Sequence, residues 1–131
     1  MFGPKAYIHT KRFENNISNI QTYVGNKNLM LVVKANAYGH NIIDIASLIF
    51  NKPWLILCVF TIQEAIQLRD LGLKNKILIF SRLEKEWLYL AVKNKISVNL
   101  SNLKDFETIS AFYNKTKSCP FFHLKFDTGM T

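Results

Sequence analysis

Residues Leu29 to His40 read LMLVVKANAYGH: five apolar residues, two of them β-branched, then Lys34, and within five further residues an asparagine, a tyrosine and a glycine. A continuous apolar run bounded by a glycine turn fits a parallel strand buried on both faces, and in parallel sheets the reactive side chains sit where the strands end. The stretch is therefore read as a buried strand that delivers a lysine to a turn.

The pattern continues on both sides of it. Upstream, Ala6 to His9 is a short strand candidate, followed by a helix over Lys11 to Tyr23 with Phe13, Ile17, Ile20 and Val24 at helical spacing, stopped by Gly25. Downstream, Ile42, Ile45, Ala46 and Ile49 line a helix that Pro53 closes, and Trp54 to Phe60 is a second continuous apolar strand. Thr61 followed three residues later by Glu64 has the form of a capping box, opening a helix with Ala65, Leu68 and Leu71 on its apolar face up to Gly72. Lys76 to Phe80 is a third strand, Glu84 to Val92 a helix, and Ile96 to Leu100 a fourth strand; Ser101 is placed to cap a helix over Leu103 to Tyr113, and Phe121 to Asp127 is a fifth strand.

These five strands begin at residues 29, 54, 76, 96 and 121, so they recur every 20 to 25 residues with a helix between each pair. That is the period of a right-handed βα array with a parallel sheet. Such arrays either open into a doubly wound sheet or close as an eight-stranded barrel of about 250 residues. The fifth strand has no covering helix after it, and a bare parallel edge is a row of unpaired backbone groups. The expectation is the front part, about five βα units, of a larger barrel.

Composition narrows the function classes. With 49% hydrophobic and 20% charged residues in 131, the chain has enough apolar material for one core. Seventeen Lys+Arg against nine Asp+Glu give a formal charge of +8, which invites a nucleic-acid reading. The lysines are scattered near turns and element ends, from Lys27 and Lys52 to Lys115 and Lys117, so a solvated surface is the expected role. Cys58 and Cys119 are far apart and His9, His40 and His123 are isolated; no redox motif or metal-ligand spacing results, and no metal is expected. The amino end has no apolar stretch of signal-peptide length and the longest apolar run, Trp54 to Phe60, is too short to span a bilayer, so a soluble, cytoplasmic protein with no membrane partner is expected.

Lys34 has two readings. A lysine often ends a strand simply by reaching solvent with its stem over apolar neighbours. Alternatively, an amine held in an apolar barrel mouth is partly desolvated, which favours its neutral form, and a neutral amine can condense with an aldehyde. Tyr38 and Gly39 favour the second reading, because a glycine turn allows close backbone approach and the phenol can reach a phosphate of the same ligand.

At this point the residues carry a resemblance. VVKANAYGH resembles the pyridoxal-phosphate attachment motif of alanine racemases, and HLKFDTGM, His123 to Met130, resembles a second signature of that family; VFTIQEAIQLRDLG, Val59 to Gly72, and the ILIF strand are similar as well. The resemblance implies a fold-type III enzyme, an eight-stranded TIM-type barrel followed by a β-domain, acting as a homodimer on alanine with pyridoxal 5′-phosphate. It also implies roles by motif position. Lys34 carries the cofactor on its amine and acts as the base on one face of the substrate Cα, and Tyr38 binds the cofactor phosphate. Val32 and Phe80 line the pocket, and Lys125 matches a lysine that some members carry as a carbamate to orient an arginine.

Asn41 stands where the family commonly has glycine after Gly-His. The family's second base, a tyrosine from the C-terminal domain of the other subunit, has no counterpart in the 131 residues, nor have the arginine at the pyridine nitrogen, the later phosphate loops or the β-domain. Little or no racemase turnover by this chain alone is the expectation. Two other readings compete: another fold-type III protein, such as a cofactor homeostasis protein or a decarboxylase, against which the DTGM signature speaks, and a non-enzymatic basic binding remnant. The last entails salt-sensitive nucleic-acid binding and no cofactor colour.

Overall fold

Strand and helix alternate along the chain because continuous apolar runs give way to apolar residues at a helical spacing of about 3.6. The computed structural model describes residues 5–129. In order it contains α1 (Thr10–Val24), β1 (Leu29–Val32), a one-turn helical segment α2 (Lys34–Tyr38), α3 (Ile42–Ile49), β2 (Leu55–Val59), α4 (Ile62–Asp70) and β3 (Lys76–Ile79). A 3-10 turn over Lys85–Trp87 then leads into α5 (Leu88–Lys93), followed by β4 (Ile96–Leu100), α6 (Leu103–Thr116) and β5 (Phe122–Leu124).

The strands form one parallel sheet in the order β1-β2-β3-β4-β5. A doubly wound sheet reverses its order at a switch point; sequential order throughout is the winding of a barrel. Alternation divides the sheet chemically. Leu55, Leu57 and Val59, Ile77 and Ile79, and Ile96, Val98 and Leu100 are buried in one cluster with Ile45 and Ile49 of α3, Leu68 of α4, Leu88 of α5 and Ile109 of α6. Leu29, Leu31 and Val33 continue that face on the β1 side. The residues between them, among them Met30, Val32, Cys58, Leu78, Ser97 and Asn99, face away from the helices.

The amino ends of the strands are tied by two polar side chains. Arg69, at the end of α4, donates from Nε to the Asn94 carbonyl (2.8 Å), from one terminal nitrogen to those of Leu73 (2.7 Å) and Asn75 (2.8 Å), and from the other to that of Lys95 (3.1 Å). Burial holds this guanidinium below its usual pKa, and four carbonyl acceptors compensate the desolvation. Buried Asn75 donates in turn to the carbonyls of Lys52 (2.8 Å) and Leu55 (3.1 Å).

Several expectations change. Residues 6–9 form no strand: no strand runs beside them among the described residues, and an unpaired strand leaves its backbone groups unsatisfied. β1 is not buried on both faces, because it is an edge strand and Met30, on the side away from the helices, is 47% exposed. The helix over Glu84 to Val92 begins as a 3-10 turn and ends at Lys93. Asn102, not Ser101, caps α6: its side chain accepts from Asp105 N–H (2.9 Å), while Ser101 donates from both N (2.8 Å) and Oγ (3.0 Å) to the Asp105 carboxylate. The fifth strand shrinks to Phe122–Leu124, all exposed, since only β4 pairs with it. The Thr61–Glu64 capping box is present as expected.

The division of the sheet into two unequal faces is testable by truncation. Leu57→Ala, in the helix-facing layer, is expected to cost about 2–5 kcal/mol, whereas Met30→Ala on the other face costs about 1 kcal/mol or less. Urea unfolding of the two variants measures both; equal losses would contradict the two-face reading.

Candidate functional site

β1 ends one residue before Val33, and the chain then turns left-handed. Ala35, Asn36, Ala37 and Tyr38 all have φ of 51–55°, and Gly39 follows at φ 81°. A left-handed turn of L-residues costs about 1–2 kcal/mol per residue, because Cβ crowds the following carbonyl; asparagine tolerates it best. The strain is held by local bonds and by one distant group. Ala37 N–H bonds to the Val33 carbonyl and Gly39 N–H to that of Ala35, each at 3.0 Å, and His40 approaches the Ala37 carbonyl through N–H (3.0 Å) and Nδ1 (2.8 Å). Asn36 Oδ1 accepts from Ile42 N–H (2.8 Å), and the Ala37 methyl is buried in the core. Asn41, in the position commonly glycine in the family, also has positive φ (68°), and its side chain accepts from Ile43 N–H (3.3 Å) to start α3.

The distant group is Glu64. Its Oε1 accepts from Ala35 N–H (2.6 Å), while Oε2 accepts from Phe60 N–H (2.8 Å) and Thr61 N–H (3.0 Å). One carboxylate thus joins the chain just after Lys34 to the end of β2. The sequence identified Glu64 only as a partner of Thr61 in the capping box. Its third bond, across 29 residues, depends on β1 and β2 being neighbours.

Register places most of the expected site on one face. Val32, Cys58, Leu78 and Ser97 form a row across β1 to β4. Two residues further along lie Lys34, Phe60, Phe80 and Asn99, with His123 paired to Asn99 on β5. Asn99 Nδ2 donates to the Phe80 carbonyl (3.2 Å) in this row. The half-buried Lys34 amine sits 5.7 Å from the centroid of the Phe60 ring and 6.0 Å from that of Tyr38. Both distances are within the range of weak cation–π attraction. Val32 and Phe80 are half-buried on the same face. Tyr38 is 59% exposed in the turn beside the amine.

Lys125 follows β5, at the opposite edge of the sheet from Lys34. Its backbone N–H bonds to the Leu100 carbonyl (2.8 Å), which puts it two residues past His123 on the same face, with an exposed side chain. Four strand steps separate it from β1, roughly 19 Å along the sheet. Met130, the end of the second motif, lies outside the described residues.

Two hollows border these rows, one through Val32 and Tyr38 and the other through Ser97 and His123. A cavity of about 170 Å³ lies at the turn, lined by Val32, Tyr38 and His40 together with Phe13, Val33 and Ala37 among others, and is small for an organic ligand. One of about 800 Å³ opens at the opposite end of the strands, between loops 72–76 and 93–95, and is ringed by Lys74, Lys76, Lys93 and Lys95. What the Lys34 row offers is different: a primary amine, a phenol four residues on, and a floor of Val32, Cys58, Leu78 and Phe80. That donor set fits a flat aromatic aldehyde bearing an anionic group, with Lys34 for the carbonyl, the apolar floor for the ring and Tyr38 for the anion.

A parallel βα array in barrel order, with a lysine at the carboxyl end of its first strand, defines the chain as an α/β protein of the TIM-barrel type. Residues 8–131 match the family model described as alanine racemase, N-terminal domain, and the chain belongs to that family. The alanine racemase of Fusobacterium nucleatum is 34% identical over 124 residues, covering 95% of this chain and 34% of that protein. Alanine racemase 1 of Bacillus subtilis is 36% identical over 126 residues, covering 95% and 32%. Among solved structures, alanine racemase of Clostridium difficile superposes with a TM-score of 0.81 at 29% identity, covering 95% of this chain and 32% of that one. The chain therefore spans about a third of the length of the relatives it matches.

The two cysteines report on the site face. Cys58 is fully buried beneath the Lys34 row and burial pushes its thiol up to about 11, whereas Cys119 is exposed. Since the thiolate is the nucleophile, Cys58 stays protonated and inert at neutral pH. Iodoacetamide followed by peptide mass spectrometry is expected to modify Cys119 first and Cys58 only when the chain is unfolded; early modification of Cys58 would show that this face opens.

Proposed function

We propose that the chain forms the cofactor-holding part of an alanine racemase site, taking pyridoxal 5′-phosphate on Lys34 for the interconversion of L- and D-alanine. The observation that carries this reading is the Lys34 amine itself, set by a strained turn over an apolar and aromatic face within a chain of this family. The cofactor, when bound, supplies an electron sink that acidifies the substrate Cα proton. The residues present do the rest on one side. Lys34 would hold the cofactor through its amine and, when that amine is free, would serve as the base facing one side of Cα. Tyr38 would donate its phenol to the phosphate, Val32 and Phe80 would line the ring's pocket, and Lys125, matching a lysine that some members carry as a carbamate, would support the active site.

Inversion at Cα needs a proton delivered to the opposite face, so the full reaction calls for a second base. In this reading it comes from the family's β-domain in a homodimer, in the cytoplasm, where D-alanine enters peptidoglycan precursors. Among the described residues no helix is long and apolar enough to cross a membrane.

Mixing the purified chain with pyridoxal phosphate, reducing with borohydride and mapping the modified peptide tests the assignment, with Lys34→Ala as control. Label concentrated on Lys34 is the expected result; label spread over the surface lysines, or unchanged in Lys34→Ala, would overturn it. In a separate assay these 131 residues alone should racemise alanine little or not at all, and sustained turnover would refute the need for a second base from elsewhere.

A further inference from the structure

We propose that Glu64 is a positioning residue for Lys34: its carboxylate holds the residue after the lysine and the residue whose ring faces the amine in one fixed relation. The inference rests on the reading that Lys34 carries the cofactor, and it reaches beyond the helix-capping role that the sequence gives this glutamate. The three hydrogen bonds are divided between two strand ends. Oε1 takes the Ala35 N–H at 2.6 Å, and Oε2 takes the N–H groups of Phe60 and Thr61 at 2.8 and 3.0 Å. Ala35 is the first residue of the left-handed run and follows Lys34 directly. The Phe60 ring lies 5.7 Å from the Lys34 amine.

The chemistry of the contact singles out a carboxylate. All three partners are N–H donors, so the site needs two oxygens with no hydrogen between them. Glutamine keeps the length and shape but turns an NH₂ toward one set of N–H groups. Either Ala35 or the Phe60–Thr61 pair is then released. Releasing Ala35 removes a charge-assisted bond from a turn whose backbone is already unfavourable, and the turn can relax toward right-handed geometry with the lysine on it.

Capping and positioning are distinguished by comparing two substitutions. Thr61→Ala deletes the cap bond that Glu64 N–H donates to Thr61 Oγ1 (3.2 Å) and leaves the Glu64 carboxylate in place. Glu64→Gln keeps that bond and alters the carboxylate, including its capping-box bond from Thr61 N–H. The experiment uses the full chain, pyridoxal phosphate and borohydride, with two readouts: the share of label on Lys34 relative to the surface lysines in the same sample, and amide hydrogen exchange at Ala35. Glu64→Gln is expected to lower the Lys34 share roughly tenfold and to speed Ala35 exchange. Thr61→Ala is expected to lower the melting temperature while leaving both readouts at the parent value.

The proposal is overturned if Glu64→Gln labels Lys34 as the parent does, or if Thr61→Ala loses the label equally. Loss of the helical circular dichroism signal in Glu64→Gln would also overturn it, since the residue would then serve the fold and not the lysine. If the parent itself shows no preference for Lys34, the cofactor reading fails. Ala35 exchange still decides the clamp in that case: unchanged protection in Glu64→Gln sinks it.

Discussion

Three backbone N–H groups at the ends of two adjacent strands have no strand partner left, and one carboxylate answers all of them. Where a parallel sheet stops, each chain must leave toward its helix, and the donors at the break are orphaned. Glu64 meets this need at β1 and β2 together, because the first turn of α4 begins just where β2 ends. The same solution recurs at β4 in simpler form, where Asp105 accepts from Ser101 N and Oγ. The difference is instructive. Asp105 serves its own strand alone, while Glu64 also reaches the neighbouring strand, and it is there that the strained turn carrying Lys34 is found.

The sheet beneath that turn has two faces with different duties. The helix-facing side is Leu, Ile and Val almost throughout and forms the core with the helices. On the other side the apolar residues of the lower row, Val32, Cys58 and Leu78, give way to Lys34, Phe60, Phe80, Asn99 and His123 toward the carboxyl ends. Stability and chemistry are thus separated by residue parity, and a one-residue slip of a strand would exchange them. Arg69 and Asn75 guard against such a slip from the amino ends, since Arg69 bonds carbonyls of the α4–β3 and α5–β4 connections and Asn75, in the α4–β3 connection, bonds those of Lys52 and Leu55 before and at the start of β2. Their donors are specific to those positions, unlike apolar contacts, which tolerate sliding.

Much of this was legible in the residues. The change of apolar period gave the elements, their spacing gave the parallel array, and the Lys34 and Lys125 motifs pointed to the family. What was not legible depends on neighbours distant in sequence. KANAYG contains two alanines and reads locally as right-handed helix or plain turn; the Glu64 bond, 29 residues away in sequence, and the burial of Ala37 join the local bonds in holding the left-handed path. Ser101 and Asn102 are equally good caps by type, and the register of β4 decides between them. Phe121 to Asp127 has the residues of a strand, but strand length follows the length of the partner that pairs with it. Ala6 to His9 shows the same rule in its limit, for without a partner strand among the described residues it forms none.

The placement of Lys125 turns on curvature. By register it shares a face with Lys34, yet roughly 19 Å of sheet lies between β1 and β5. In a closed eight-stranded barrel the first and fifth strands stand opposite one another, so residues on their inner faces point at each other across the mouth. Whether two such lysines belong to one site is therefore a property of how far the sheet is bent, not of either residue. Lys34 differs: its surroundings come from β1, β2 and the turn between them and α3, all within the first 64 residues. The amine end of the site is local and held by hydrogen bonds already present, whereas the Lys125 end is global and depends on the sheet being curved around a common centre.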